Sequence, residues 1–343
     1  IPKSVMTIAG DEEQYSPFFG CKKDMIVYCG SSSVQAGWDH YWNYYNYSDR
    51  LNVIYGFSPS DMSYWDSVDR SEEIIEIPYG VECIPENAFA NRVGLREIQI
   101  PGSVKTIRRN AFKNCSNLQK VTLEEGITEL EYSVFSGCTK LEEIVLPNSI
   151  EEIGGNSFGG CTSLKSVTLP EDLSALNGNM FSGCTALTEI DLKNIGNLGT
   201  GAFSGCTGMK NIYIPATVTS INGKPFVDCN SKMRIYCGVD AKPDGWEYGW
   251  NCLNDYSYNG TLKAYFHVSK EAYDFWSHIP QNETNLVIPN TVDGIPAWIG
   301  ADIPNVVSLY IPSSVKYIGE YAFSNHKSLK NVVIEPGVQT IGN

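Results

Sequence analysis

The amino-acid sequence predicts a repeat solenoid of about 14 stacked coils, each of about 23 residues, whose strands form one parallel β-sheet. Three observations predict this fold. Apolar residues recur at a fixed spacing of 23 positions, and a phenylalanine occupies the same position in seven successive coils. Many copies also contain a short segment of alternating apolar residues followed by proline, which is typical of a strand that ends abruptly.

The clearest copy of the repeat lies between Val104 and Pro147. Its apolar positions advance by 23 residues, so that Val104, Ile107, Phe112, Cys115, Leu118, Val121 and Leu123 recur as Ile127, Leu130, Phe135, Cys138, Leu141, Ile144 and Leu146. The phenylalanine position returns in steps of 23 residues, with one step of 22, at Phe89, Phe112, Phe135, Phe158, Phe181, Phe203 and Phe226. Each coil is therefore one structural unit that stacks on its neighbours.

The order of residues within one coil predicts its local structure. Val121 and Leu123 follow the two-residue alternation of a strand. Proline comes directly after several such strands and ends them because it has no N–H to donate, as at Pro101, Pro147, Pro170 and Pro215. The segments equivalent to Ile107–Cys115 are short and rich in Gly, Asn and Ser, so we expect irregular turns or short 3₁₀ pieces on that side.

The period extends over most of the chain, and we expect residues 1–343 to form one continuous solenoid. The predicted strands end near residues 29, 55, 77, 100, 123, 146, 169, 192, 214, 237, 266, 288, 311 and 334. Two expanded, aromatic-rich coils at residues 30–73 and 238–284 interrupt the period, and an internal duplication relates them. Trp38 and Trp42, for example, match Trp246 and Trp250 at an offset of 208.

One coil without phenylalanine and the two ends of the chain depart from the regular repeat. In the coil from Ile288 to Ile311 the phenylalanine position falls on Gly300, and we expect Trp298 or Ile299 to fill the space. Both ends of the chain fall inside a repeat, which favours a fragment of a longer protein.

Composition and charge exclude several classes of function. The net charge of −14 argues against nucleic acid or an anionic membrane surface as a partner, because both need a basic face. The apolar runs are only a few residues long, so we expect no direct insertion into a membrane by this chain. Six of the eleven cysteines share one repeat position, which favours buried core thiols: Cys115, Cys138, Cys161, Cys184, Cys206 and Cys229.

A search for chemistry predicts no enzyme, no cofactor and no metal site. The four histidines lie in separate coils, and no Cys or His spacing is typical of zinc. The Ser-Gly-Cys sequence around Cys138 recurs at the repeat period, so it indicates a turn and not a nucleophile. Paired acidic residues such as Glu142 and Glu143 are best explained as a solvated face.

Two sets of residues are candidates for binding. The solvent side of the predicted sheet carries residues of mixed type that are suited to a broad protein-binding surface: Glu97, Lys120, Glu143, Glu189, Asp191 and Tyr213. The aromatic excursions carry rings that stack on sugars or anchor protein interfaces: Trp38, Tyr41, Trp42, Tyr44, Tyr45, Tyr47, Trp246 and Trp250. The alternative for the second set, above all for the duplicated tryptophans, is that they pack an enlarged coil.

At this point the sequence resembles the BspA-like, or Treponema pallidum type, leucine-rich repeat proteins. The resemblance rests on Ile-Pro-x-x-Val-x-x-Ile from Ile100 to Ile107, Ala-Phe-x-x-Cys from Ala111 to Cys115, and Leu-x-x-Val-x-Leu from Leu118 to Leu123. It implies an α/β leucine-rich repeat fold with short convex segments, an extracellular or cell-surface location, and no catalytic residues. The partners it implies are host extracellular-matrix proteins or other cell-surface proteins.

Three functional hypotheses follow. The first is a non-catalytic, secreted or surface-attached adhesion module that presents its sheet face to host matrix or microbial partners. The second is a carbohydrate-binding module that uses the aromatic excursions to bind glycans. The third is a rigid spacer that holds other domains of a surface protein away from the cell.

Overall fold

The computed structural model describes residues 7–8, 26–29, 37–38, 52–55, 64, 68–69, 71–252 and 261–342. The chain divides into two compact units, Ile1–Cys161 and Thr162–Asn343, which we call unit 1 and unit 2. In both units the chain forms coils of about 23 residues. Each described coil usually contains one strand of three or four residues and, on another side of the coil, one strand of two residues. This arrangement builds two series of parallel strands.

The first series has strands of three or four residues. In unit 1 these are β2 (Ile26–Cys29), β4 (Asn52–Tyr55), β5 (Ile74–Glu76), β7 (Glu97–Ile100), β9 (Lys120–Leu123) and β11 (Glu143–Val145). In unit 2 they are β13 (Ser166–Thr168), β16 (Asn211–Ile214), β18 (Arg234–Cys237), β19 (Lys263–Tyr265), β20 (Asn285–Val287), β22 (Ser308–Ile311) and β24 (Asn331–Ile334).

The second series has strands of two residues. In unit 1 these are β1 (Thr7–Ile8), β3 (Gly37–Trp38), β6 (Cys83–Ile84), β8 (Thr106–Ile107), β10 (Glu129–Leu130) and β12 (Glu152–Ile153). In unit 2 they are β14 (Ala175–Leu176), β15 (Asn197–Leu198), β17 (Ser220–Ile221), β21 (Gly294–Ile295), β23 (Tyr317–Ile318) and β25 (Thr340–Ile341). The described helical segments of unit 2 are helix α1 (Lys270–Trp276) and the 3₁₀ helix η1 (Ile299–Asp302).

The register of the strands confirms that one coil is one period. Glu97 pairs with Lys120 across β7 and β9 in unit 1, and Asn211 pairs with Arg234 across β16 and β18 in unit 2. Both pairings are parallel and advance by one repeat. The two continuous ranges hold about eleven turns of about 23 residues, slightly fewer than the predicted fourteen. The predicted turns before residue 71 are described only through short strands.

The prediction of one parallel sheet needs a correction, because the strands form several separate parallel sheets. In unit 2 the segment Glu189–Leu192 is within the described range but has no strand, although a strand was predicted to end at Leu192. The chain also forms helix α1 between β19 and β20, and these two strands belong to different sheets. Some of the interruptions fall where the sequence leaves its 23-residue period, but β9 and β11 belong to different sheets although the period is regular between them.

The core of each unit is a stack of identical side chains. In unit 1 the rings of Phe89, Phe112, Phe135 and Phe158 are nearly parallel, with centroids 5.3 to 5.8 Å apart. In unit 2 Phe181, Phe203 and Phe226 continue in the same way at 5.8 Å. All of these rings are buried. Stacked aromatic rings bury large apolar areas, so the phenylalanine ladder is a major source of stability.

The nine cysteines between residues 71 and 252 are buried and carry free thiols, as the repeat predicts. Each ladder thiol faces a backbone carbonyl of the preceding coil. Cys138 Sγ donates to the carbonyl oxygen of Phe112 at 3.3 Å, and Cys161 Sγ donates to that of Phe135 at 3.2 Å. These thiols pack the core and give a second hydrogen bond to carbonyl groups that already accept one from a backbone N–H, as Phe112 does from Cys115 and Phe135 from Cys138.

The turns opposite the strands need backbone with positive φ at a fixed place in the repeat. Asn91 and Asn114 have φ values of 60° and 59°, and in the next coil Gly137 has a φ of 76°. Asn and Gly tolerate this left-handed conformation better than other residues. The Ser-Gly-Cys sequence therefore belongs to a turn, as its recurrence indicates.

Candidate functional site

The structure describes only some of the aromatic candidates of the two excursions. Tyr41, Trp42, Tyr44, Tyr45 and Tyr47 lie outside the described residues, and Trp38 lies in strand β3. Trp246 and Trp250, the candidates of the second excursion, are the two aromatic candidates whose side chains the structure describes.

Trp246 and Trp250 are core residues, which corrects their place among the candidate binding residues. Their exposed fractions are 1% and 4%, and their ring centroids lie 4.6 Å apart in an edge-to-face arrangement. The indole Nε1 of Trp246 donates a hydrogen bond to the carbonyl oxygen of Val218 at 3.0 Å. Neither indole presents a face to a glycan or a protein. They pack the enlarged coil, which was the alternative interpretation.

The sheet-face candidates of unit 1 are exposed on their strands. Glu97 and Lys120 face each other on neighbouring strands, with 3.8 Å between Nζ and Oε2, and Glu143 is exposed on β11. Exposed ion pairs of this kind contribute at most about 1 kcal/mol to stability, so they leave the surface available for contacts with a partner.

The sheet-face candidates of unit 2 come together in one place. Glu189, Asp191 and Tyr213 line a cavity of about 250 Å³, which we call the sheet-face cavity. Further walls come from helix α1 and the residues after it: Lys270, Tyr273, Asp274 and His278. A second cavity of about 260 Å³ shares Asp191 and Val167 with the first and extends toward Pro170 and Lys193. The sheet face of unit 2 is therefore concave around Asp191, whereas the face of a regular sheet would be flat there.

The cavity lies where the repeat is one residue short. Two residues lie between Leu192 and Ile195, whereas three lie between the equivalent Ile100 and Val104. The strand before this shortened turn is lost, and Ile190 is only partly buried, although Val167 at the equivalent position is buried. The shortened coil thus leaves a gap in the ladder of strands, and the gap becomes the floor of the cavity.

Helix α1 forms the wall of the cavity. It begins after Ser269, whose hydroxyl accepts a hydrogen bond from the N–H of Ala272 at 3.2 Å. Tyr273 packs against Tyr213 with ring centroids 5.4 Å apart, and it meets Tyr236 edge to face at the same distance. At the end of the helix the Asn211 side chain donates to the carbonyl oxygen of Ser277 at 3.1 Å.

The charges around the cavity are mainly negative. The Lys270 ammonium pairs with Asp274 at 2.6 Å and lies 4.7 Å from the ring centroid of Tyr273. Glu189 and Asp191 add two exposed carboxylates. A cationic side chain from a partner would meet an excess of carboxylate here, together with aromatic ring faces that favour cations.

The two tyrosine hydroxyls are hydrogen-bond donors at neutral pH. Burial, followed by the charges of Asp274 and Glu189, raises the pKa of Tyr273 to about 12. Burial is also the main cause that raises the pKa of Tyr213, and nearby carboxylates add to it. Both phenols remain protonated at neutral pH, so the cavity combines donors, carboxylates and aromatic faces in one small space.

Two other kinds of feature were sought in the described parts of the chain. No group of three or more His, Cys, Asp or Glu side chains there is arranged to hold a metal ion. None of the helices there combines the length and apolar character that crossing a membrane requires.

Comparison with known proteins gives a family match. The model of the BspA type leucine-rich repeat region matches residues 68–158, 133–238 and 277–343, with six copies. No curated protein matches the chain significantly. The matched segments together span more than half of the chain.

Several solved structures are similar to the chain. A leucine-rich cell surface protein from Faecalibacterium prausnitzii is 26% identical, with 76% of this chain and 69% of that chain covered and a TM-score of 0.46. The leucine-rich repeat protein of T. pallidum is also 26% identical, with coverages of 50% and 76% and a TM-score of 0.40. A leucine-rich repeat protein from Bacteroides ovatus is 22% identical, with coverages of 78% and 82% and a TM-score of 0.30.

Proposed function

Because the chain belongs to the BspA-type leucine-rich repeat family, we propose that it is a non-catalytic protein-binding module that acts at the cell surface or outside the cell. The observation that carries this proposal is the sheet-face cavity. It gathers Glu189, Asp191 and Tyr213 from the solenoid with Tyr273 from helix α1. A concave site with aromatic and charged walls on an extended sheet is suited to an anchoring side chain of a partner protein.

The chemistry of the cavity favours a partner with basic side chains. Tyr213 and Tyr273 offer partly buried rings, and Glu189 and Asp191 offer carboxylates to a lysine or arginine side chain. Arginine and aromatic residues are enriched among the residues that dominate protein interfaces. The partner is therefore a host matrix protein or microbial surface protein that presents a basic segment to the sheet face.

The test is binding of the purified chain to parallel arrays of extracellular-matrix proteins and glycans. Three chains are compared: the wild type, the cavity variant Glu189→Gln/Asp191→Asn/Tyr213→Ala, and the excursion variant Tyr44→Ala/Tyr45→Ala. We expect the wild type and the excursion variant to bind the same matrix protein, and the cavity variant to lose that binding.

The other outcomes contradict the proposal in different ways. Glycan binding that disappears only in the excursion variant would move the function to the aromatic segment. Matrix binding that survives in the cavity variant would move it to another surface. Absence of binding by the wild type on both arrays would favour a rigid spacer. Circular dichroism of each variant shows whether the solenoid is still folded.

A further inference from the structure

Unit 2 contains a third cavity, with the opposite charge to the sheet-face cavity, which we call the basic cavity. Its volume is about 330 Å³, and it lies where the chain enters strands β18 and β19, beside helix η1. Three cationic side chains and one carboxylate line it: Lys232, Arg234, Lys263 and Asp302. A concentration of positive charge is unexpected in a chain with a net charge of −14. This cavity shares none of its lining residues with the sheet-face cavity.

Asp302 holds the cations in place. Its side chain is only 10% exposed, and it lies 3.1 Å from Nη2 of Arg234 and 3.3 Å from Nζ of Lys263. It also accepts a hydrogen bond from the hydroxyl of Tyr265. One carboxylate neutralises one positive charge, so the cavity keeps an excess of positive charge after this network is formed.

Arg234 is prepared for an anionic ligand. Its side chain is 22% exposed, and the ion pair with Asp302 joins Nη2 to Oδ1. Because a guanidinium has five N–H donors in a planar fork, it can bind a second carboxylate while it keeps Asp302. Lys232 is exposed at the rim, where it adds a charge without taking part in the Asp302 pairing.

The neutral walls of the cavity indicate what carries the anionic group. Ser231, Thr261 and Gln281 line it with hydroxyl and amide groups. The cavity is larger than a carboxylate group alone would need, and the neutral polar groups match the hydroxyls of a sugar ring. We propose that the basic cavity binds an acidic sugar, with the sugar carboxylate on Arg234 and Lys232 and the ring hydroxyls on the neutral side chains. This site is independent of the proposed protein-binding function.

The test measures binding of small probes by isothermal titration calorimetry. The probes are methyl β-D-glucuronide, methyl β-D-glucoside, which has the same ring without the carboxylate, and glutarate, which has carboxylates without the ring. We expect the glucuronide to bind and each of the other two to bind at least about tenfold more weakly. The glucoside loses the charge-assisted hydrogen bonds of the carboxylate, and glutarate loses the several hydrogen bonds of the ring hydroxyls.

Variants locate the site. Lys232→Gln leaves the Asp302 network unchanged and should weaken glucuronide binding several-fold. Arg234→Gln should remove most of the binding. Lys330→Gln makes the same charge change at an exposed residue outside the cavity, and it should bind like the wild type.

Several results would overturn the proposal. Equal binding of glutarate and glucuronide would mean that the cavity recognises a carboxylate alone, as in an acidic peptide. Equal binding of glucoside and glucuronide would remove the role of the cations. Absence of glucuronide binding, or equal weakening by Lys232→Gln and Lys330→Gln, would mean that the cations serve only Asp302.

Discussion

At the scale of single residues, stability depends on side chains that repeat in register. Phe135 is fully buried in unit 1 and lies between the rings of Phe112 and Phe158. Replacing it with alanine opens a cavity and removes two stacked contacts. We expect Phe135→Ala to lower the free energy of unfolding by about 3–5 kcal/mol, measured by urea denaturation. The matched control is Phe323→Ala, because Phe323 is only partly buried and should lose less. Equal losses would contradict the ladder as the main source of core stability.

The buried thiols give the chain a pH dependence in the alkaline range. Burial raises the pKa of Cys161 to about 12 and that of Cys115 to about 11, from a usual value of 9.0. In the unfolded chain the thiols ionise near the usual value, so their contribution to stability is complete below pH 9 and is lost as the pH rises toward 11–12.

We therefore expect the free energy of unfolding, measured in urea with reductant present, to fall above pH 9 by roughly 1 kcal/mol per pH unit for each thiol that ionises only on unfolding. The variant Cys161→Ala should show a shallower decline. A stability that is constant between pH 7 and 11 would show that the thiols ionise equally in both states.

Single residues also show where sequence reasoning succeeds. In the coil without phenylalanine, Ile299 is buried, whereas Trp298 is 51% exposed and packs against Tyr321. The sequence allowed either residue to fill the space. The deciding factor is the backbone, since Trp298 has a φ of 60° and its side chain points away from the core. A hydrophobicity pattern contains no information about that dihedral angle.

At the scale of the element, the convex turns depend on positive φ. Asn114 has a φ of 59°, and its side chain donates a hydrogen bond to Oδ1 of Asn91 at 2.9 Å. We expect Asn114→Ala to lower the free energy of unfolding by about 1–2 kcal/mol, because alanine is strained in this conformation. Asn114→Gly loses the hydrogen bond but removes the strain, so it should cost less. Urea denaturation of both variants measures the difference, and a glycine variant less stable than the alanine variant would contradict it.

Helix α1 is the element that the repeat pattern missed. It replaces the turn of a regular coil inside the excursion at residues 238–284, where the period no longer predicts structure. Two local signals were present. Ser269 stands at an N-cap position, and Ala272 and Trp276 are buried at a helical spacing of four. The helix supplies Lys270, Tyr273 and Asp274 to the sheet-face cavity, so the repeat pattern could not predict that wall of the cavity.

At the scale of the whole molecule, the period predicted the fold almost completely. Strand β9, for example, covers Lys120–Leu123, where the alternation of Val121 and Leu123 placed it. The division of the strands into several sheets was not predicted. Some breaks coincide with the one-residue shortening after Leu192 and with helix α1, but the break between β9 and β11 lies inside the regular period. Glu189, Asp191 and Tyr213 were predicted to face solvent because outward positions of a strand follow from its alternation, although Glu189–Leu192 forms no strand. Their meeting in one cavity follows from tertiary packing.

The overall charge sets how binding responds to salt. The net charge of −14 attracts a basic partner electrostatically, and dissolved salt screens this attraction over shorter distances as its concentration rises. We expect the affinity for the matrix partner to fall roughly tenfold or more between 50 and 500 mM NaCl. The variant Glu189→Gln/Asp191→Asn should show a weaker dependence in the same titration. An affinity that does not change with salt would contradict a cationic anchor.

The most direct test of the central claim is the dissociation constant of the matrix partner for two triple variants. The cavity variant Glu189→Gln/Asp191→Asn/Tyr213→Ala changes unit 2, and its matched control Glu97→Gln/Lys120→Gln/Glu143→Gln changes the exposed sheet face of unit 1. Surface plasmon resonance measures both against the wild type. We expect the cavity variant to bind at least about a hundredfold more weakly and the control to stay within a few-fold of the wild type. Equal affinity of all three chains, or a loss confined to the control, would contradict it.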